Sequence, residues 1–328
     1  MHNVKARQVF AWLLFSVLTC WGTMALVYSN LPPGPRTAAA AVFVIAALVS
    51  ALFPRSNGRK IIYFLSAFAL VLACWLALPP SNSRDWEPDV ATLPYADVSG
   101  STVTIHNIRN CDYRAETDYD VRHYDRTFKL GSLRSMDLFL VNWGVPYLDH
   151  AMLSFGFGGG EYVCISIETR KKKGEEYSSI RGFFKQYELT YVVADERDIV
   201  RLRTNYRKGE EVYLYRLKAE PELVRLIFLD YLRSINRLKD RPQWYNALTA
   251  NCTTDIRKHI APYYPKLKSD WRILASGYAD EMVYELGVVD QTLPLQELKR
   301  RSHINERSKA AGPGPAYSAV IRNRLPGF

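Results

Sequence analysis

The chain has 328 residues, 48% of them hydrophobic, with a formal net charge of +10. That length permits a sizeable core, while the charge invites a nucleic-acid reading. Lys5, Arg7, Arg36, Arg55, Arg59 and Lys60 precede Arg84 in a region without a single acid, which leaves only +4 for the rest; with no base-reading motif in the chain, nucleic-acid binding is set aside.

No acidic residue occurs before Asp85, and three uncharged stretches fill this region: Val9 to Tyr28, Thr37 to Pro54 and Ile61 to Ser83. Each matches the roughly 20 residues needed to cross about 30 Å of hydrocarbon. A signal peptide competes for the first stretch, because Lys5 and Arg7 precede it. Two further apolar runs follow, however, and no cleavage site gives way to a soluble segment. The second stretch, rich in alanine, is the shortest, and a re-entrant segment competes there with a spanning helix. Cytoplasmic loops retain an excess of Lys and Arg. Lys5 and Arg7 before the first stretch, and Arg55, Arg59 and Lys60 between the second and third, therefore put the N-terminus in the cytoplasm. Three crossings carry everything after about Pro80 to the far side, which in a Gram-negative cell is the periplasm.

The expected organisation is a three-helix membrane anchor over residues 1–80, a linker over 81–101, an exported domain over 102–310 and a tail over 311–328. "PPSNSRDWEPDVATLPYADVSG" has the Pro, Ser and Asp content of a linker. "STVTIHNIRN" alternates polar and apolar positions as a strand does, and "DRTFKL" and "MDLFLVNW" read similarly. In "DHAMLSFGFGGGEYVCISIETR", residues 149–170, two β-prone runs flank a glycine-rich turn. No Gly-Lys-Ser/Thr follows, so the glycines do not make a phosphate loop. A turn centred near Gly159 sets position 150 opposite position 168, and opposed side chains share a face. His150 and Glu168 become neighbours, whereas a slip of one residue separates them. "RKKKGEE", Arg170 to Glu176, reads as a solvated hairpin end. "YELTYVVADERDIVRL" predicts a strand and a helical turn, and "EEVYLYRLKA" another strand. "PELVRLIFLDYLRSINRLKD" carries apolar residues at three- and four-residue spacing behind Pro221, the pattern of an amphipathic helix. Asn251, Thr253 and Thr254 offer caps just ahead of "TDIRKHI", and Pro262 and Pro265 end that helix. Cys252 falls at its start.

Of the five cysteines, Cys20 and Cys74 lie in the apolar stretches and Cys111, Cys164 and Cys252 in the exported part. An odd number in an oxidising compartment leaves at least one thiol unpaired, whether or not Cys111 and Cys164 pair. A cysteine at a helix N-terminus has its thiolate favoured by the dipole and by unpaired N–H groups, which can also bind an oxyanion. A histidine on a neighbouring strand could move its proton, and a carboxylate could hold the imidazole tautomer. Cys252, His150 and Glu168 supply those groups, with core packing of the cysteine as the competing reading. His106, Cys111 and His123 match no zinc spacing, and neither a metal nor a cofactor is expected.

"DHAMLSFGF", "CISIETRKKKGEEYSSIRGFFKQYELTYVVADERDIVRLRTN", "VYLYRL" and "WYNALTANCTTDIRKH" together resemble the Lnb N-terminal periplasmic domain family, from about His106 to His303. That family is similar to circularly permuted papain-like and NlpC/P60-type thiol enzymes, in which the histidine strand precedes the cysteine helix. The resemblance implies an α+β fold with an antiparallel sheet packed on helices. It also implies Cys252 as nucleophile, His150 as base, and Glu168, or Ser166 after a two-residue shift, as the third group. The implied activity is a thiol-dependent acyltransferase at the inner membrane, working through a Cys thioester on lipid or lipoprotein acyl chains. A cell-wall peptidase or amidase using the same pair, and a non-catalytic anchored binding module, are the alternatives.

Overall fold

The computed structural model describes residues 2–54, 56–265, 267 and 270–328; Arg55, one of the loop cations that set the expected orientation, lies outside them. The chain divides into two compact units. One holds the residues up to Ser81 together with Glu176–Glu188 and Trp244–Ala247, and the other holds the remainder.

The first unit is built on α1 (His2–Val27), α2 (Pro33–Leu52) and α3 (Asn57–Ala77), each long and apolar enough to cross a membrane. Proline opens α2, where its missing N–H costs nothing, and the Ser56 hydroxyl caps α3 by accepting from the Arg59 N–H. Leu26, Ala40, Phe43, Ala47, Phe64 and Val71 make the inner seam. Gly22 is required there, because a Cβ on it would stand 2.6 Å from the Phe43 ring. Val42, Leu48 and Leu70 point outward with more than half their surface exposed, as side chains facing acyl chains must. The second apolar stretch is a continuous 20-residue helix.

The second unit begins with the short helix α4 (Pro88–Ala91), β1 (Tyr95–Ser99) and β2 (Thr102–Arg109), then a small β3 (Asp112–Tyr113) and β4 (Tyr119–Asp120) ribbon, β5 (His123–Lys129), β6 (Leu133–Asn142), β7 (Asp149–Phe157) and β8 (Glu161–Arg170). β9 (Glu188–Ala194), α5 (Glu196–Arg201), β10 (Glu211–Leu217) and α6 (Pro221–Asp240) follow, then α7 (Cys252–Ile260), α8 (Ala279–Glu285), α9 (Leu295–Ser302), α10 (Asn305–Ala311) and α11 (Tyr317–Arg322). The sheet runs β1-β2-β9-β8-β7-β6-β10, with β5 also on β2. An all-antiparallel sheet is corrected at one seam: β2 and β9 run parallel, joined at Arg109 and Ala194. Phe155 and Phe157 pack against Phe228 of α6 at ring distances of 4.9 and 5.6 Å. Met152 and Cys164 point to the other face, into a cluster with Val192, Val212, Tyr317 and Ile321.

Two segments differ from expectation. Residues 81–101, read as a linker, bury Trp86, Val90 and Ala96, and β1 pairs with β2 from Tyr95 to Ser99. Residues 311–328, read as a tail, contribute α11, whose Tyr317 and Ile321 enter the core. Arg322 on α11 donates to Asp137 at 2.9 Å and to Glu196 at 2.5 Å, and Glu196 also accepts from Ser154 at 2.5 Å. Without that arginine, two buried carboxylates would lose a counter-charge. Composition alone hid both segments, because a few large side chains suffice to anchor a polar stretch. All five cysteines are free thiols, with Cys111 and Cys164 buried and unpaired.

Gly277 lies where the chain must touch the turn that leads into β7: a Cβ there would stand 2.2 Å from the Pro146 carbonyl oxygen and 2.7 Å from the Tyr147 carbonyl carbon. Gly277→Ala is expected to destabilise the protein by about 1–3 kcal/mol, measured by chemical denaturation. An unchanged midpoint would show that the turn yields without cost.

Candidate active site

The β7–β8 hairpin has partner numbers summing to 318, from Phe157 and Glu161 to Met152 and Ser166. The same sum carries His150 to Glu168, two residues past the last pair. The His150 Nε2 lies 2.8 Å from the Ser166 hydroxyl and 3.0 Å from Glu168 Oε1, and Ser166 donates to that same Oε1 at 2.7 Å. Both sequence candidates for the third group therefore touch one ring nitrogen.

α7 starts at Cys252 because of its cap. The Asn251 side chain accepts from the Thr254 N–H at 2.9 Å, and the Thr254 hydroxyl accepts from the Asn251 N–H at 2.9 Å, a reciprocal capping box. Thr253 donates to the Ile273 carbonyl at 2.7 Å, tying the first turn to the segment before Gly277. The half-buried Cys252 thiol lies within electrostatic reach of His150 and of the Ala151 N–H, just beyond the last β7–β8 pair.

Burial pushes the Cys252 thiol up, but the His150 charge and hydrogen bond outweigh it and hold the thiol below its ordinary value of 9.0. Burial pulls His150 down, yet Glu168 prevails and the imidazole is pushed up to about 9. Glu168 is likewise raised by burial, and the charges of His150 and Arg203 carry it well below the usual carboxylate range. The three shifts favour thiolate, imidazolium and carboxylate side by side.

Sequence reasoning missed Arg203. This buried side chain donates to Glu168 Oε1 at 2.7 Å and reaches Glu210 at 3.4 Å. It projects from a π-helical stretch, Leu202–Tyr206, that continues α5; such wide turns often mark functional sites. Trp143 lies alongside the His150 ring, centroids 6.3 Å apart, with its Nε1 donating to Glu210 at 3.0 Å. No local pattern signals either residue. Of the residues weighed for metal, His106 bonds to Asp125 at 2.7 Å and Asp97 at 3.1 Å, and the Cys111 N–H donates to Asp198. Among the described residues no group of three or more His, Cys, Asp or Glu is placed to hold a metal ion.

Residues 119–277 match the family model of the Lnb N-terminal periplasmic domain. The chain carries a domain of that family. The matched segment spans β4 to the Gly277 contact and contains Cys252, His150, Ser166, Glu168 and Arg203. No curated protein and no solved structure matches the chain. With three apolar helices ahead of its Lnb N-terminal periplasmic domain, this is a membrane-anchored periplasmic protein.

Two pH experiments follow. Alkylation of Cys252 by iodoacetamide, read by peptide mass spectrometry, is expected to reach half its maximum rate below pH 9. His150→Ala should raise that midpoint by a unit or more and slow labelling at pH 7 by about 10-fold; an unmoved midpoint would refute the ion pair. Separately, burial pushes Asp149 up to about 6 despite the Asn142 amide donating to it at 2.7 Å. A raised carboxyl stabilises the fold least when ionised, so its contribution is full below about pH 4 and is lost as pH rises through 6. Asp149→Asn should remove a pH dependence of about 3 kcal/mol between pH 4 and 7, seen as the difference between the two stability profiles.

Proposed function

We propose that this protein is a thiol-dependent acyltransferase that takes acyl chains from lipid or lipoprotein esters, with Cys252 as nucleophile, His150 as acid and base, and Glu168 as the group that orients the imidazole. The observation that carries the reading is the Cys252 thiol at the capped start of α7, held below its ordinary pKa by a His150 whose Nε2 rests on Glu168. The choice of a lipid ester rests on the membrane anchor, which keeps the domain where acyl esters are concentrated. The N-terminus lies in the cytoplasm and the anchor in the inner membrane, by the distribution of loop cations.

The Cys252 thiolate attacks the ester carbonyl carbon, and the charge passes to the carbonyl oxygen. The cap consumes the Thr254 N–H, and the Cys252 and Thr253 N–H groups at the helix start would serve as donors to that oxyanion. The C–O bond breaks, the imidazolium gives its proton to the departing alkoxide, and an alcohol leaves. The acyl chain stays as a thioester on Cys252. An amine then attacks the thioester, His150 takes its proton, and the amide leaves with the thiolate restored. Ser166 and Arg203 keep Glu168 ionised and fixed through both halves.

The protein reconstituted in vesicles with phosphatidylethanolamine bearing labelled acyl chains should acquire hydroxylamine-sensitive label on Cys252. Cys252→Ala should acquire none, and His150→Ala should acquire it about 10²–10⁴-fold more slowly. Equal labelling of the Cys252→Ala protein would sink the reading, and turnover of peptidoglycan fragments with none of lipid esters would replace it with the peptidase reading.

A further inference from the structure

The segment Glu176–Glu188 lies between β8 and β9 in the chain, yet it belongs to the same compact unit as the three apolar helices. Its Lys185 ammonium donates to the carbonyls of Trp75, Leu76 and Leu78 at 2.9, 3.1 and 3.3 Å. Those carbonyls close α3, where the last turn runs short of intrahelical donors and the Leu78 N–H meets only the Trp75 carbonyl, at 3.4 Å. Phe184 stands 6.2 Å from the Trp21 ring and 6.1 Å from Tyr28, and Trp21 is 5.3 Å from Trp75. The Trp244 Nε1 donates to Leu78 at 3.1 Å, and the Arg181 guanidinium lies over Tyr28. Tryptophan and tyrosine gathered at the end of a spanning helix mark the depth of the lipid headgroups. The segment that seals this end is therefore at the same depth. From it Tyr177, Ile180 and Phe183 project with 44%, 53% and 42% of their surface exposed, on a stretch that also carries Arg181 and Lys185.

We infer that residues 177–183 form an interfacial foot, with Tyr177, Ile180 and Phe183 inserted at the boundary between headgroups and acyl chains and Arg181 and Lys185 at headgroup level. Apolar side chains beside cations on a short segment are the composition of monotopic contacts, and here the segment is continuous with helices that already cross the bilayer. The occupant of the exposed patch is phospholipid. The foot gives the exported chain its own hold on the membrane, in addition to the covalent link through residue 81. This inference is independent of the chemistry at Cys252.

Depth-dependent quenching tests it on the full chain with Cys20, Cys74 and Cys252 replaced by alanine. Ile180→Cys, Phe183→Cys and Tyr177→Cys would each carry a nitrobenzoxadiazole label in phosphatidylethanolamine and phosphatidylglycerol vesicles. Leu48→Cys serves as the lipid-core reference and Glu306→Cys as the aqueous one. Labels on the foot are expected to lose at least half their emission to lipids bearing a nitroxide near the headgroup and less to those bearing it deep in the chain, with iodide acting far less than at Glu306. Iodide quenching equal to that at Glu306 would overturn the proposal in favour of a water-exposed loop. Protection from both quenchers would overturn it in favour of a covering protein surface. Circular dichroism of each labelled protein separates misfolding at one position from a result shared by all three.

Discussion

A single carboxylate oxygen, Glu168 Oε1, is shared by His150, Ser166 and Arg203 at 3.0, 2.7 and 2.7 Å, and the site is organised around it. Four groups of alternating sign, Cys252, His150, Glu168 and Arg203, lie in a row with Glu210 beyond the arginine. Any of them alone in such surroundings would discharge or draw in water. Together each supplies the counter-charge that favours its neighbour's ionised form, so the lowered pKa of the thiol is a property of the row and not of the cysteine.

The fold serves that row by holding groups from distant parts of the chain at fixed heights. His150 and Glu168 are placed by one hairpin register, in which a slip of one residue would send one of them to the opposite face. The thiol is placed by a helix that starts at Cys252 because the capping box on Asn251 lets it start nowhere else, and Thr253 ties that start to residue 273. Arg203 depends on a π-helical turn that alters the direction in which side chains leave the helix. Register, cap and turn are local devices with sharp geometric outcomes, and this is why three separate segments converge to hydrogen-bond distances.

The other unit poses a different problem, that of chain entering and leaving hydrocarbon. Helices satisfy their own backbone within the bilayer, but their last carbonyls must find donors at its edge. At the end of α3, besides the Leu78 N–H, donors come from Lys185 and Trp244, residues more than a hundred positions further along the chain. The anchor is thus completed by parts of the exported sequence, and residues 176–188 and 244–247 belong with the three helices although they lie far beyond residue 81 in the chain.

Sequence alone determined the properties set by composition and by local periodicity: three membrane-length apolar runs, the α+β class of the exported part, the hairpin that joins His150 to Glu168, and the helix start at Cys252. Each is decided over twenty or so neighbouring residues, by apolar length, alternation, turn glycines or capping side chains. Only the tertiary structure decided that residues 81–101 and 311–328 belong to the core through Trp86, Tyr317 and Arg322, that β2 joins β9 in parallel, and that Arg203 and Trp143 complete the site. The physical reason is the same in each case. An isolated arginine or tryptophan in a polar stretch carries no period, and its place is set by which buried carboxylate or apolar cavity lies within reach after the chain has closed on itself.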